Sequence, residues 1–255
     1  MKNRYVKIIV VVISLSLLFF VTIGINLIKN ENNFDYIAIN EKLVISKKNN
    51  KWKVIKKNLK KYSWNFYSVY VDHEYFGRDY LYFNDQIYLF DKDKMALNYN
   101  GSFIAFNKKE YKDVNFTTKE STDNTILESV LKKNKLDSKQ EYTSNYYIDI
   151  DIDNDGKNEQ LYVVSNRFPI DSIHAKKYFG FIYLVDDNKV NVLYSSVSNT
   201  TDSYSGCKPY IRNIINKEKS YYIVTECATY SEGVVNLSLY EYRNGAFDKK
   251  ISTLY

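Results

Sequence analysis

Acidic side chains recur at every second position within residues 146–166, the stretch best suited to specific chemistry. The carboxylates are those of Asp149, Asp151, Asp153 and Asp155. Alternate side chains of an extended chain point to the same side. The four carboxylates are therefore predicted to share one face, and the isoleucines between them are predicted to lie on the opposite, buried face. Gly156 permits a sharp turn, after which residues 160–164 resume a strand-forming run. The pattern predicts a strand that delivers carboxylates into a tight loop.

The spacing within this loop indicates a site for a hard cation. Counted from Asp151, carboxylates stand at positions 1, 3, 5 and 9, and a backbone carbonyl is available at position 7. Ca²⁺ takes six to eight oxygen ligands at ~2.3–2.6 Å, and the glycine lets the chain wrap around the ion. The predicted Ca²⁺ ligands are Asp151, Asp153, Asp155, the carbonyl of Lys157, and Glu159. An EF-hand would need Glu at position 12 and flanking helices, whereas Tyr162 stands there and both flanks favour strands.

The run D-I-D-N-D-G-K-N-E, followed by an apolar strand, resembles the calcium loop of FG-GAP and VCBS-type repeats. These repeats occur in integrin-like propellers and in many bacterial surface proteins. The resemblance implies that the five predicted ligands bind Ca²⁺ within a β-hairpin. It covers one copy of the loop, about 20 residues.

A solvated polar turn is the alternative interpretation of the same residues. Asp155-Gly156 is a favourable hairpin turn, and Asp side chains readily accept hydrogen bonds from their own backbone. Electrostatic repulsion argues against this alternative. Converging carboxylates raise one another's pKa values and destabilise the folded protein unless a cation binds between them.

The N-terminus predicts the compartment. Lys2, Arg4 and Lys7 precede an uncharged run of 21 residues, 8–28, long enough to cross a hydrocarbon core of ~30 Å. Basic residues before the run predict a cytoplasmic N-terminus and an extracytoplasmic body. We therefore expect a single-pass protein of the cell membrane. The alternative is a secreted protein whose signal is cleaved near residues 22–24.

The two cysteines, Cys207 and Cys227, flank a predicted hairpin. A hairpin symmetric about Lys217 would place them opposite each other, within disulfide reach. Outside the cytoplasm such a pair can be a disulfide, and two buried free thiols are the alternative.

Strand-like runs separated by turn signals predict a mainly β fold. We expect an antiparallel meander or sandwich, or partial propeller-like hairpins, with one short soluble helix besides the membrane helix. The predicted regions are a cytoplasmic tip and anchor (1–30), a membrane-proximal β region (31–107), a linker (108–124) and a helix plus β region (125–255). Thr125 and Glu128 fit a capping box for the helix, which is predicted to end near Leu136.

The net charge of +6 is concentrated just after the predicted anchor, because residues 41–61 hold nine Lys and one Glu. Eight of these lysines are Lys47, Lys48, Lys51, Lys53, Lys56, Lys57, Lys60 and Lys61. Such a cluster predicts attraction to an anionic lipid surface or wall polymer, and a solvated strand face is the alternative. A nucleic acid partner is not expected for an exported body.

Signatures of catalysis are sparse in the sequence. It contains neither a G-x-S-x-G elbow nor a phosphate-binding G-x-x-x-x-G-K, and its histidines, His73 and His174, lack zinc-ligand spacing to a cysteine. The sequence favours a bacterial binding or cell-envelope interaction module over an enzyme. The alternatives are an exported hydrolase with an acidic active site and a stabilising subunit of an envelope complex.

Overall fold

The described part of the chain is built almost entirely from antiparallel strands. A computed structural model describes residues 35–39, 43–56, 58–62, 66–83, 87–89, 103–122, 124–137, 144–166, 177–187, 189–198, 208–228 and 235–254. These residues form antiparallel sheets and one short α-helix, which confirms the predicted β class. The predicted anchor, residues 8–28, lies outside them. Among the described helices none is long and apolar enough to traverse a bilayer.

The first sheet, called the N-terminal sheet, has seven strands in the order β3-β2-β1-β7-β4-β5-β6. The strands are β1 (Asp35–Ile39), β2 (Leu43–Lys48), β3 (Lys51–Ile55), β4 (Phe66–Val71), β5 (Glu74–Phe83), β6 (Ile87–Leu89) and β7 (Phe103–Phe106). A 3₁₀ turn at Leu59–Tyr62 packs on one face of this sheet. Dense aromatic and β-branched residues favour these strands, as the sequence predicts.

Two five-stranded sheets follow. The loop sheet has the order β13-β12-β11-β10-β9 and the central sheet the order β17-β16-β15-β14-β8. Their strands are β8 (Tyr111–Asp113), β9 (Lys119–Glu120), β10 (Ser144–Ile150), β11 (Glu159–Ser165), β12 (Phe179–Asp186), β13 (Lys189–Val197), β14 (Lys208–Lys217), β15 (Ser220–Ala228), β16 (Val235–Arg243) and β17 (Ala246–Leu254). Each sheet is chiefly a meander of consecutive hairpins.

The central sheet lies between the other two. Adjacent residues of β15 show this, because Val224 packs with Ile37 of the N-terminal sheet, whereas Ile223 packs with Leu161 of the loop sheet. Successive side chains of a strand point to opposite faces, so one strand supplies both cores. The acidic loop therefore belongs to a sheet whose inner face packs against the central sheet.

The helix, α1 (Thr125–Lys133), covers the outer face of the loop sheet with Leu127, Val130 and Leu131. The predicted capping box is wrong, because Asn124 is the N-cap residue and its side chain makes no capping hydrogen bond. The helix also ends before Leu136, since Lys135 adopts a positive φ of 57° and breaks the helical path.

The segment predicted as a linker, 108–124, contributes strands β8 and β9 to two sheets. Tyr111 and Asp113 are buried there, and the Val114 N–H donates to the Ile214 carbonyl at 2.7 Å. Strands of three and two residues are too short for a periodic pattern to reveal them. The predicted domain boundaries stay predictions.

Cys227 is disulfide-bonded, which decides between the two alternatives for the cysteines. The sequence holds one other cysteine, Cys207, which lies outside the described residues. The predicted symmetric hairpin is wrong, because Pro209 pairs with Cys227. A bulge beside Ile211 and a turn centred on Glu218 and Lys219 shift the register.

Candidate metal site

The acidic loop joins β10 to β11 directly after their last pair, Ile150 with Glu159. Ile152 anchors its first half, because this side chain is buried in the core shared with the central sheet. Asn154 and Gly156 have φ values of 63° and 90°, the left-handed region in which Asn and Gly are tolerated best. The chain can therefore curl its acidic side chains towards one point.

Three carboxylates of this loop converge. One oxygen each from Asp151, Asp153 and Glu159 lies within 4.8 Å of the other two. Oxygens on opposite sides of a Ca²⁺ ion, at ~2.4 Å from it, are about 4.8 Å apart. The spacing and the all-oxygen donor set therefore fit a single calcium-sized ion.

Backbone N–H groups of the loop also donate to these carboxylates. Asp151 accepts from the N–H groups of Asp155 at 3.0 Å and Gly156 at 3.1 Å, while Asp153 accepts from Asp155 at 3.1 Å. Each ionised carboxylate has about four lone-pair directions, so these bonds leave oxygens able to bind a cation. The same bonds orient Asp151 and hold it in place.

One predicted carboxylate ligand is placed differently from these three. Asp155 does not belong to the converging group, and its Oδ1 accepts a hydrogen bond from the Lys157 N–H at 2.8 Å. Coordination by the Lys157 carbonyl stays a prediction.

Asp149 lies apart from the cluster and pairs with Lys119 Nζ at 2.5 Å. The predicted single face for four carboxylates is wrong, because β10 ends at Ile150 and the extended geometry stops there.

Glu159 is the residue that distinguishes this cluster from an ordinary polar turn. Its side chain comes from β11, it is 6% exposed, and it accepts a hydrogen bond from the Ile152 N–H at 2.9 Å. Burial raises the pKa of Glu159, and the negative charges of Asp153 and Asp186 raise that pKa further. The short bonds within Asp153–Lys157 are those expected of a polar turn, but such a turn does not need a third, buried carboxylate.

Asp186 is a charged neighbour of the site that the sequence did not indicate. It ends β12, one residue beyond the pair Gln160–Val185, and so lies near Glu159. The same negative potential acts on Tyr242 of the central sheet, whose pKa is raised to about 12 by burial and by Asp186, Asp153 and Glu159. The register of β11 against β12 could have revealed Asp186, but the connection between those strands gives no short-turn signal.

Glu159→Gln is expected to stabilise the metal-free protein at neutral pH. A raised pKa means that the folded protein binds a proton more tightly than the unfolded chain, so stability falls as pH rises above the ordinary value of 4.5. Glutamine keeps an acceptor for the Ile152 N–H and does not titrate. We expect urea unfolding in the presence of chelator to show a gain in the variant's free energy of unfolding. This gain should be larger at neutral pH than below pH 4.5, the ordinary pKa of a glutamate. An equal difference at both pH values would show that Glu159 titrates normally.

A second buried carboxylate, Asp113, has a structural role. Its side chain is fully buried, its Oδ2 lies 2.9 Å from His73 Nδ1, and it accepts a hydrogen bond from Asn213 Nδ2 at 3.0 Å. His73 comes from the β4–β5 turn and packs its ring against Phe116 at 4.6 Å. This group joins the N-terminal sheet to the central sheet.

The predicted basic surface lies chiefly on the β2–β3 hairpin, and β3 is an edge strand. Lys48, Lys51, Lys53, Lys56 and Lys60 are exposed, whereas Lys47 is half-buried. Lysines on an edge strand also prevent unwanted strand pairing, so their exposure agrees with the solvated-face alternative as well. The side chains of Lys57 and Lys61 lie outside the described ones.

No protein-family model matches the chain, and comparisons with curated proteins and with solved structures find no match either.

Proposed function

We propose that this chain is a membrane-anchored, extracytoplasmic bacterial β protein in which a calcium ion stabilises the acidic loop and the β body serves as a binding module of the cell envelope. The convergence of Asp151 and Asp153 with the buried Glu159 carries the metal assignment. The resemblance to FG-GAP and VCBS-type loops supports it, since these are positions 1, 3 and 9 of that pattern.

The ion has a structural part in this proposal. The loop connects two strands whose isoleucine and leucine side chains pack against the central sheet. A cation on the three carboxylates removes their repulsion and fixes the end of the β10–β11 pair. Consecutive meanders stacked face to face also suit a partial, propeller-like arrangement of hairpins.

The extracytoplasmic location rests on the predicted anchor at 8–28 and on the bonded state of Cys227. Disulfides persist in oxidising compartments and are rare in the cytosol. Exposed lysines on the β2–β3 hairpin follow closely after the anchor and would face an anionic membrane surface or wall polymer. Protease treatment of intact cells should digest the body. In untreated cells, the chain should be found in the membrane fraction. Protection of the body in intact cells would contradict the location.

Terbium luminescence tests the metal site, because Tb³⁺ replaces Ca²⁺ at oxygen sites and is excited through nearby tyrosines. Tyr242 is a candidate donor for this transfer, because the charges of Asp153 and Glu159 act on its hydroxyl. We expect bound Tb³⁺ to emit on tyrosine excitation, Ca²⁺ to displace it, and Mg²⁺ to compete poorly, because Mg²⁺ demands octahedral geometry. Tyr242→Phe should weaken the emission while Ca²⁺ affinity is kept. Emission that Ca²⁺ does not displace would count against the site.

A further inference from the structure

Asp35 is the first described residue after the predicted anchor, and hydrogen bonds fix it to the body. Its Oδ2 accepts from the Tyr111 hydroxyl at 2.6 Å and from Lys217 Nζ at 2.9 Å. Six residues, 29–34, separate Asp35 from the anchor, so the two are at most about 25 Å apart. The position of Asp35 therefore determines which part of the body lies next to the bilayer.

Asp35 lies at the end of the sheets where several hairpins turn. It pairs with Lys47, close to the β2–β3 turn, and Lys217 directly precedes the β14–β15 turn. Both lysines line a polar groove together with the β16–β17 turn and Asp153 of the acidic loop. We call this the groove end of the body. The acidic loop thus lies at the end from which the chain runs to the anchor.

The opposite end of the sheets is farther from the anchor. Strand β17 shows the distance, because it begins with Ala246 directly after the turn that lines the groove and finishes with Leu254. At ~3.3 Å per residue, the two ends of this strand are about 25 Å apart. A connection of six residues therefore keeps the groove end towards the bilayer.

The charges at the groove roughly cancel, so the connection to the anchor, and not attraction to anionic lipids, sets this orientation. The lining residues and Asp35 together hold four cations and four carboxylates, namely Lys47, Lys217, Lys219 and Arg243, and Asp35, Asp153, Glu218 and Glu241. The acidic loop is the part of the groove end where three carboxylates converge. The groove end therefore responds to a charged membrane through the divalent ion that this loop binds.

An anionic bilayer concentrates divalent cations in the layer of solvent next to it. The surface potential typical of an anionic leaflet raises the local concentration of Ca²⁺ about ten-fold at the surface. One Debye length away, ~8 Å at physiological ionic strength, the increase is about two-fold. A calcium site that faces the headgroups is therefore filled at a lower bulk concentration than the same site in free solution.

We propose that the acidic loop faces the bilayer that holds the anchor and takes up calcium from the ion layer at the lipid headgroups. The proposal rests on the anchor and the calcium site argued above. It adds the partner surface, which is the bilayer in which the chain itself is inserted, and a regulator, which is the anionic lipid content of that bilayer. An anionic bilayer thus lets calcium fix the end of the β10–β11 pair at a lower bulk concentration.

Energy transfer to labelled lipid headgroups tests the orientation. The full chain is placed in nanodiscs that contain an acceptor-labelled lipid, with a fluorescent amino acid in place of Ala246 in one variant and of Leu254 in the other. Both side chains are exposed and stand at the two ends of one strand, so each variant is the control for the other. We expect higher transfer efficiency from position 246. Equal transfer, or higher transfer from position 254, would overturn the orientation.

Calcium-dependent melting of the unlabelled chain tests the effect of the lipid. We expect the free calcium concentration that gives half of the rise in Tm to be about two- to ten-fold lower in phosphatidylglycerol nanodiscs than in phosphatidylcholine nanodiscs. Salt at ~1 M shortens the Debye length to ~3 Å and should abolish the difference. Equal concentrations in the two lipids at low salt would overturn the uptake of calcium at the headgroups.

Two other results would overturn the proposal together with the part of the proposed function on which it rests. A chain that does not insert into nanodiscs would contradict the anchor. A Tm that calcium leaves unchanged in both lipids would contradict the calcium site. If the chain inserts and calcium raises the Tm, failure of the transfer or lipid comparison overturns the membrane-facing loop alone.

Discussion

Replacing Asp151 with asparagine is expected to abolish the stabilisation that calcium gives to the protein. At a hundredfold excess over Kd, binding to the folded state alone adds about 2.7 kcal/mol to the free energy of unfolding. For a chain of this size that corresponds to a rise in Tm of about 5–10 °C. Asp151 should matter most because its two oxygens are held in place by the N–H groups of Asp155 and Gly156. Thermal unfolding of the full chain with calcium and with chelator measures the effect.

Asp149→Asn is the matched control for that variant, since it makes the same chemical change two residues away. Asp149 lies outside the cluster and pairs with an exposed lysine, Lys119. It should retain the full calcium shift and change stability by less than about 1 kcal/mol, as surface ion pairs do. If both variants retain the shift, calcium binds elsewhere. If both lose it, Asp149 and Asp151 contribute equally, contrary to the geometry.

Leu161→Ala is expected to lower the free energy of unfolding by about 2–5 kcal/mol, the usual range for a cavity in a packed core. Leu161 is fully buried on β11 and packs in the core between the loop and central sheets. Urea unfolding measures the loss. Calcium should still raise the Tm of the variant, because Leu161 contributes no oxygen to the site.

Leu254→Ala makes the same change at a side chain that is 59% exposed, and it should alter stability by less than about 0.5 kcal/mol. Similar losses in the two variants would show that the loop and central sheets do not share the dense core described above.

Local patterns predicted most strands, because alternation and turn residues report directly on the extended backbone. Asn-Gly is typical of a two-residue hairpin turn, and Asn244-Gly245 illustrates this, since both residues have positive φ values and β16 meets β17 there. The strands β8 and β9 were missed because three and two residues are too few to show an alternating pattern. The bulge beside Ile211 was missed for a similar reason, since a register shift leaves no local signal.

The residues of the candidate site also fall into those that the local sequence predicted and those that it missed. Asp151, Asp153 and Glu159 could be identified from the spacing within one loop, since a hairpin forces its ends together. Asp186 and Tyr242 come from other hairpins. Residues that meet through the packing of sheets cannot be inferred from spacing along the chain, because the order of the layers sets their distances.

An anomalous difference map from crystals grown with calcium would show whether the ion occupies the acidic loop. We expect one calcium peak there, with oxygens of Asp151, Asp153 and Glu159 at ~2.3–2.6 Å from it. A map without a peak at these three carboxylates, at a calcium concentration that saturates such loops, would contradict the proposed calcium site.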